Sequence, residues 1–490
     1  MNEPTPAHTR TRTASGLASG IEERSIDWVP EHARHGDVRD QGRFWFLGNF
    51  HFFTITIGFI GPSMGLSLGW TALAGALGIL IGTVFQAFHA NQGAELGLPQ
   101  MIQSRAQFGY RGVILPLFAT LVTYVGFNVV DTLLIANGAL ALLGWNAILV
   151  GVGVCLVAAA LAIWGHDWLH AVFKVMFWVS VPLFTLLSLR AALGGVAPMA
   201  GAPLGFNWVA FCTELAAGAS YNITYATYVS DYSRYLPVNT PARRVILSVF
   251  LGASLSAIWL ISLGAWLATR IGASDPLVAL AGAGNQILPG YGAALALSSV
   301  LALTATMGMN AYSGMLTVIT AMDSLRSLRP TRRLRVVVLL FLTVLTLGLA
   351  YVSGSDGIQA VSASFVVMLY LLAPWTAVNL TDYYFVRRGA YAVTHLYLPD
   401  GIYGRWRREG LQAYLTGFIV SLPFIVIPDL VMGPVARLLG GIDIGWLVGL
   451  GVGAVSYLLL TRRHDPASEA HALEQSRSAL RAINEAGRPS

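Results

Sequence analysis

The sequence predicts an all-α polytopic membrane protein, a bundle of twelve transmembrane helices. Three observations predict it. Apolar residues make up 55% of the 490-residue chain and charged residues only 11%, whereas soluble domains run near a quarter charged. The apolar residues lie in long runs close to the roughly 20 residues a helix needs to cross a bilayer, unlike the short alternating strands of a barrel. The basic residues, finally, cluster between those runs.

The runs are Phe44–Gly69, Thr71–Ala90, Val113–Leu143, Ala147–Gly165, Leu169–Leu189 and Phe206–Ser230 in the first half. The second half gives Val245–Thr269, Tyr291–Met322, Val336–Val352, Ile358–Phe385, Ala413–Pro428 and Ile444–Leu460. A polar N-terminal tail, 1–43, precedes this 44–461 transporter domain, and it lacks the apolar core of a cleaved signal. The polar tail 462–490 that follows is expected to be solvated or weakly helical. An even number of spans puts both termini on one side. On that side the loops would hold sixteen Lys and Arg, against only Arg190, Arg270 and Arg437 on the other. Basic loops mark the cytoplasmic face, so both termini are expected to be cytoplasmic, in a cytoplasmic (inner) membrane.

The net charge of +6 therefore reads as topology. The Arg329–Arg335 cluster has no base-stacking aromatics, which excludes nucleic acid and leaves the lipid bilayer as its partner. Cys155 and Cys212, both in apolar segments, imply neither a disulfide framework nor a cysteine metal site. His166 and His170 have an i, i+4 spacing that a metal can use. With no further ligand near them in sequence, they read as interfacial anchors. Phosphate loops, nucleophile elbows and zinc signatures do not occur, which weighs against an enzyme.

Helices 1 and 6 are too polar for plain lipid-facing rods. Helix 1 carries Gly48, Asn49, His51, Thr54, Thr56, Gly58, Gly61 and Pro62; helix 6 carries Glu214, Ser220, Asn222, Thr224 and Thr227 among Tyr221, Tyr225 and Tyr228. Interrupted helices at matching positions of two repeats build the midplane site of many secondary transporters. Helices 1 and 6 match under a five-plus-five division: repeat one at about 44–190, repeat two at about 206–386, and extra helices at about 412–461.

Ionisable groups at bilayer depth are functional candidates by default. Away from the span ends these are Asp131 and Glu214. Helical spacing aligns Tyr124, Asn128 and Asp131 on one face of helix 3. An aromatic ring, an amide and an acid on one stripe suit a flat polar heterocycle, although a polar tie between helices would use the same residues. Burial makes Asp131 or Glu214 a candidate proton carrier. In helix 8, Asn310 is a candidate for substrate, for an ion site or for interhelical bonding. His51 reads chiefly as a packing residue.

At these residues the chain resembles the nucleobase:cation symporter family, in its purine–cytosine permease branch. The resemblance rests on Gly93–Gly109, on Ser-Asp-Tyr-Ser-Arg-Tyr-Leu-Pro at Ser230–Pro237, on Asn310 with Tyr312, on Pro374–Arg388, and on Gly401-Ile402-Tyr403-Gly404. It implies a LeuT-like inverted-repeat fold with two extra helices, importing a nucleobase or related heterocycle with a cation. The family places substrate between the broken helices 1 and 6 and helices 3 and 8, so Thr54 lies in the implied site. By position Phe127 and Asp131, with Asn128 beside them, correspond to the helix 3 contacts. Asn222, flanked by Tyr221 and Thr224, corresponds to the helix 6 contact.

Two departures matter. Phe127 stands where relatives often have Trp, and Asn222 where they have an aromatic, a role a one-residue shift would give to Tyr221. The helix 8 positions that supply sodium ligands in sodium-coupled members correspond to Ala305, Gly308 and Met309. These offer no hard side-chain oxygen, so proton coupling is expected, or sodium held by backbone oxygens. Asp231 and Arg234 are expected to fix the cytoplasmic end of helix 6 or an inner gate. Beyond the co-transported proton or sodium no cofactor is expected, and no obligatory protein partner. Allantoin-like, hydantoin-like and vitamin-like heterocycles or an amino acid remain alternative solutes, and a membrane-embedded enzyme or a receptor without flux the alternative classes.

Overall fold

The computed structural model describes residues 22, 24–194, 205–271, 275–328, 330–353, 357–427 and 430–486. Most of the expected N-terminal tail, Arg329 of the basic loop, Pro428 at the expected end of helix 11 and the last four residues of the C-terminal tail lie outside them.

Expected helix 1 is interrupted. Its pieces are α1 (Val38–Gly48), α2 (Phe52–Ile57) and α3 (Ile60–Ser63), and the chain bends 52° at the break. The first half continues as α4 (Leu68–Leu96), the short turns α5 (Gln100–Gln103) and α6 (Arg105–Phe108), α7 (Ile114–Leu143), α8 (Ala147–Trp164) and α9 (His166–Ala192). Helix 6 is interrupted as well: α10 (Trp208–Thr224) passes through a tight 3-10 turn, Tyr225–Thr227, into α11 (Val229–Ser233). Then come α12 (Ala242–Arg270), α13 (Pro276–Asn285), α14 (Tyr291–Leu325), α15 (Arg332–Ser353) and α16 (Gly357–Thr381), which ends in a π turn at Asp382–Val386. The chain closes with α17 (Arg408–Ser421), a hairpin of β1 (Val426–Ile427) and β2 (Val431–Met432), α18 (Pro434–Leu438), α19 (Gly445–Thr461) and α20 (Pro466–Ala486). Helix occurs at each expected position. Among the described residues, length and apolarity alone qualify seven single helices as spans, or nine if each of two sharply bent pairs is one span.

Small residues set the central packing. A side chain at Gly78 would strike the Leu215 carbonyl, and one at Gly82 the Ala219 carbonyl, so α4 lies directly against α10. Gly58 and Gly264 do the same for α2 and α12, each facing a carbonyl of the other helix, Ile261 and Ile55 respectively. Close backbone approach through small residues is the usual way to pack helices where no hydrophobic drive separates helix from lipid.

Both tails depart from expectation. The C-terminal tail is a 21-residue helix, α20, turned 94° from α19. It buries Glu469, Ala472 and Ser476; Glu469 pairs with Arg387 at 3.1 Å, and the Thr394 N–H donates to Ser476 Oγ. On the N-terminal side, Ile26 and Val29 are buried in the protein, and Arg34 donates to the carbonyls of Val29 and Ala94. Apolar residues that a polar tail has no use for in water here anchor it beneath the helices.

Candidate functional site

The two breaks free backbone groups at depth, and side chains satisfy them. His51 is fully extended (φ −153°, ψ 170°), which ends the helical hydrogen-bond ladder after Gly48. The Gly48 carbonyl then accepts from the Tyr225 hydroxyl at 2.8 Å and from His51 Nε2 at 3.0 Å. At the other break, Thr227 offers its carbonyl to the Tyr124 hydroxyl at 2.8 Å. Each interrupted helix thus leans on a tyrosine from another element, in keeping with the rule that irregular backbone survives at membrane depth only inside protein or beside a cavity.

Aromatic rings fill the space between the breaks. Phe53 stacks on Tyr221 with centroids 5.5 Å apart, and Phe127 meets Phe53 edge-on at 5.8 Å. Phe127 and Tyr225 lie in planes only 8° apart with centroids 6.5 Å apart. The Thr54 and Tyr221 hydroxyls share a hydrogen bond of 2.9 Å.

Beside the rings stands a polar group from α7 and α14. Asn310 Nδ2 donates to Asn128 Oδ1 at 2.9 Å and reaches Asp131 Oδ2 at 3.4 Å. Asn128 in turn donates to the Met307 carbonyl at 3.3 Å. Asn310 Oδ1 is buried without a hydrogen-bond partner, and among the described residues no basic side chain pairs with Asp131. Here the structure joins Phe127, Asn128, Asp131, Tyr221, Thr54 and Asn310 in one place; helical spacing aligned Asn128 with Asp131, and the family resemblance implied Phe127, Tyr221 and Thr54.

Other expected residues stand elsewhere. Asn222 turns away from the rings: its Oδ1 accepts from Asn49 at 3.0 Å and its Nδ2 donates to Thr83 Oγ1 at 2.6 Å. It ties α10 to α1 and α4, because a buried amide wedged among polar neighbours bonds them first. Thr224 spends its hydroxyl on the Tyr221 carbonyl one turn back. Glu214 accepts the Gly61 N–H at 2.8 Å, holding α3 against α10, and shares no partner with Asp131. Gly308 faces α8 and α9, where Ala158, Leu161 and Leu169 would meet any side chain, so it does not line the break in helix 1. Ala305 and Met309 are buried, and the Met309 carbonyl accepts from Tyr232. His51 is spent on the break itself.

Asp231 and Arg234 do not pair with each other. Asp231 Oδ1 accepts the Gln100 N–H at 3.0 Å. Arg234 reaches the N-terminal segment instead, donating to the Ser25 carbonyl at 2.6 Å and to the Tyr312 hydroxyl at 3.0 Å, with Glu22 at 3.7 Å. Glu22 is the residue the sequence reading missed. Its carboxylate accepts from Tyr235 at 2.6 Å, Tyr312 at 3.0 Å, the His166 N–H at 3.2 Å and Arg335 at 3.2 Å. Burial alone would push this carboxyl up, but the guanidiniums of Arg335 and Arg234 outweigh it and hold the group below its ordinary value. Other buried acids also sit in paired, structural settings: Asp323 with Arg105 at 2.8 Å, and Asp382 with Arg387, Tyr391 and Tyr457.

Comparison with known proteins finds relatives of this bundle. Residues 28–449 match the family described as permeases for cytosine/purines, uracil, thiamine and allantoin. The chain belongs to this family. YxlA of Bacillus subtilis, assigned to the purine-cytosine permeases, is 34% identical over 90% of this chain and 96% of its own. The purine-cytosine permease fcyB of Emericella nidulans is 27% identical, over 90% of this chain and 88% of its own. Among solved structures, the nucleobase-cation-symport-1 family transporter Mhp1, closed with bromovinylhydantoin bound, superimposes with a TM-score of 0.73 at 16% identity, covering 93% of this chain and 100% of Mhp1. The likeness establishes the LeuT-like fold. This permease is accordingly a multi-pass membrane transporter, and its relatives are permeases, not enzymes.

Proposed function

We propose that this permease imports a nucleobase or a related planar heterocycle by alternating access, coupled to a cation, with the proton as that cation. The observation that carries the reading is the pairing of two near-parallel rings with an unsatisfied amide. Phe127 and Tyr225 lie in near-parallel planes, 8° apart, with centroids 6.5 Å apart. A third ring stacked between two others needs about 7 Å, twice the ~3.5 Å carbon contact distance, so a slight parting of α7 from the 3-10 turn that Tyr225 opens would admit a flat solute. Asn310 Oδ1, left without a partner among the described residues, would accept an edge N–H of that ring, and Asp131 would accept another. A site built to hydrogen-bond an N–H rejects a solute that lacks it, because its own polar groups are then stranded.

Asp131 would also carry the proton, as a deep carboxyl that has no cationic partner among the described residues and meets water when the site opens. Against sodium, Ala305 and Gly308 bring no side-chain oxygen and Met309 only a thioether, whereas sodium takes hard oxygen ligands. The basic loops support an orientation with both termini in the cytoplasm of a cell whose cytoplasmic membrane holds the protein. The Glu22 cluster would then close the inner face, and solute and proton shift the balance only by binding the open and closed states unequally.

Uptake of labelled cytosine, adenine, uracil and allantoin into proteoliposomes, under proton and sodium gradients imposed separately, tests the proposal. Accumulation of at least one base driven by a proton gradient alone is the expected result. Accumulation that needs sodium would overturn the choice of cation, and no flux of any of the four would overturn the solute class.

A further inference from the structure

The N-terminal segment brings His35 from far along the chain to His166 and Asp167 at the start of α9. Their donor atoms, His35 Nε2, His166 Nδ1 and an Asp167 carboxylate oxygen, lie within 4.8 Å of one another. Asp167 Oδ1 is 3.2 Å from His35 Nε2 and 3.0 Å from His166 Nδ1.

The opposite edge of each imidazole decides what these atoms can do. His35 Nδ1 lies 2.9 Å from the Ala33 carbonyl oxygen, and His166 Nε2 lies 3.3 Å from the Tyr232 carbonyl oxygen. A carbonyl oxygen only accepts, so those two nitrogens carry the protons. In the neutral rings His35 Nε2 and His166 Nδ1 are then bare lone pairs, and both point at a carboxylate oxygen. Three electron-rich atoms facing one another are unfavourable unless a proton or a metal ion sits among them. Histidines whose far N–H is held by a backbone carbonyl are also the usual form of metal-ligating imidazoles, since that bond fixes tautomer and ring orientation.

We propose that His35, His166 and Asp167 form a binding site for a divalent transition cation of the zinc class, which fastens the N-terminal segment to α9. Two imidazoles and a carboxylate suit zinc and disfavour magnesium or calcium, which take oxygen ligands. Metal bonds of about 2.0–2.2 Å in a tetrahedral site set donor atoms about 3.3 Å apart, near the 3.2 and 3.0 Å that separate Asp167 Oδ1 from the two imidazoles, and all three donors already lie within 4.8 Å of one another. The fourth position is left to water: His35 and Asp167 are about half exposed, with side-chain exposures of 51% and 46%. Because the same segment carries Glu22 and Ser25 into the cluster around Arg234 and Arg335, metal binding would hold that face shut. The consequence for transport rests on the proposed function; metal binding does not.

The test uses the purified full-length chain, freed of any histidine tag and of metal, titrated with Zn²⁺ against a chromophoric competitor. One zinc per chain is expected, with Mg²⁺ failing to compete, and with affinity lowered about tenfold or more in His35→Ala and in Asp167→Asn. Both side chains are exposed enough for these variants to fold, which their thermal melting checks. Zn²⁺ should also slow proteolysis near residue 35 in the wild type and leave the variants unaffected. No zinc binding by the wild type, or equal binding by wild type and both variants, would overturn the proposal. If zinc binds and protects as stated but leaves uptake by an active transporter unchanged, the clamp on transport is wrong while the site stands.

Discussion

Two amide clusters lie in the membrane interior, and they are built to opposite ends. Around Asn222, both ends of the amide are engaged at 2.6–3.0 Å, by Thr83 and Asn49, and Asn49 itself donates on to the Ala253 carbonyl at 2.9 Å. Around Asn310, one bond is good, the contact to Asp131 stretches to 3.4 Å, and Oδ1 has nothing. A buried polar atom left unpaired costs about 1–3 kcal/mol. A fold tolerates that cost where a ligand will supply the missing bond. The Asn222 amide is satisfied and ties four helices together, although Asn49 Oδ1 beside it is left without a partner among the described residues; the Asn310 amide, beside the aromatic rings, waits for something to bind.

Substitutions can break this contrast, the largest effect first. Asp131→Asn keeps the shape and removes the exchangeable proton, so gradient-driven accumulation should vanish while solute counterflow persists. Full accumulation with unchanged pH dependence would remove Asp131 from coupling. Asn222→Ala should destabilise the protein by about 1–2 kcal/mol, read as a lower melting temperature, and leave solute affinity in the folded protein intact. Asn310→Ala should do the reverse, weakening solute binding about tenfold, equivalent to ~1.4 kcal/mol, with little change in melting. Tyr221→Phe removes the bond to Thr54 and the longer contact from the Tyr225 hydroxyl and should cost about 0.5–1.5 kcal/mol of stability. In Tyr225→Phe the Gly48 carbonyl loses its tyrosine, so a larger loss than in Tyr221→Phe is expected.

Much of this arrangement was legible in the residues. The Gly- and Asn-rich stretches marked the interrupted helices, because polar backbone at depth needs polar company. The four- and three-residue steps from Tyr124 to Asp131 placed one face of α7 correctly, since helical periodicity alone decides it. Asn222 and Tyr221 stayed alternatives for a reason of the same kind: neighbours on a helix point in different directions, and only the partners across the interface say which faces the rings. Tyr225 was within reach of pattern, lying one turn beyond Tyr221, yet its parallel setting against Phe127 depends on how the 3-10 turn after α10 sits against α7.

Glu22 carried almost no signal. Its partners Arg234, Tyr312 and Arg335 are hundreds of residues distant, and only the apolar Ile26, Trp28 and Val29 in an otherwise polar tail hinted that the segment docks. That latch has its own pH signature. The docked carboxylate keeps its charge below the range in which a free glutamate, at 4.5, loses it. The latch therefore contributes fully above that range and is lost as pH falls through the lowered value. Proteolysis of the N-terminal segment should stay slow at neutral pH and quicken only in acid; acceleration between pH 6 and 8 would contradict this ion-paired setting.

The most direct measurement is a structure of the protein with its transported base bound. The ring should lie between Phe127 and Tyr225, with an edge N–H within hydrogen-bond distance of Asn310 Oδ1 and Asp131 alongside, while Asn222 keeps its bonds to Asn49 and Thr83. A base seated against Asn222, with Asn310 Oδ1 still unpaired, would contradict the account.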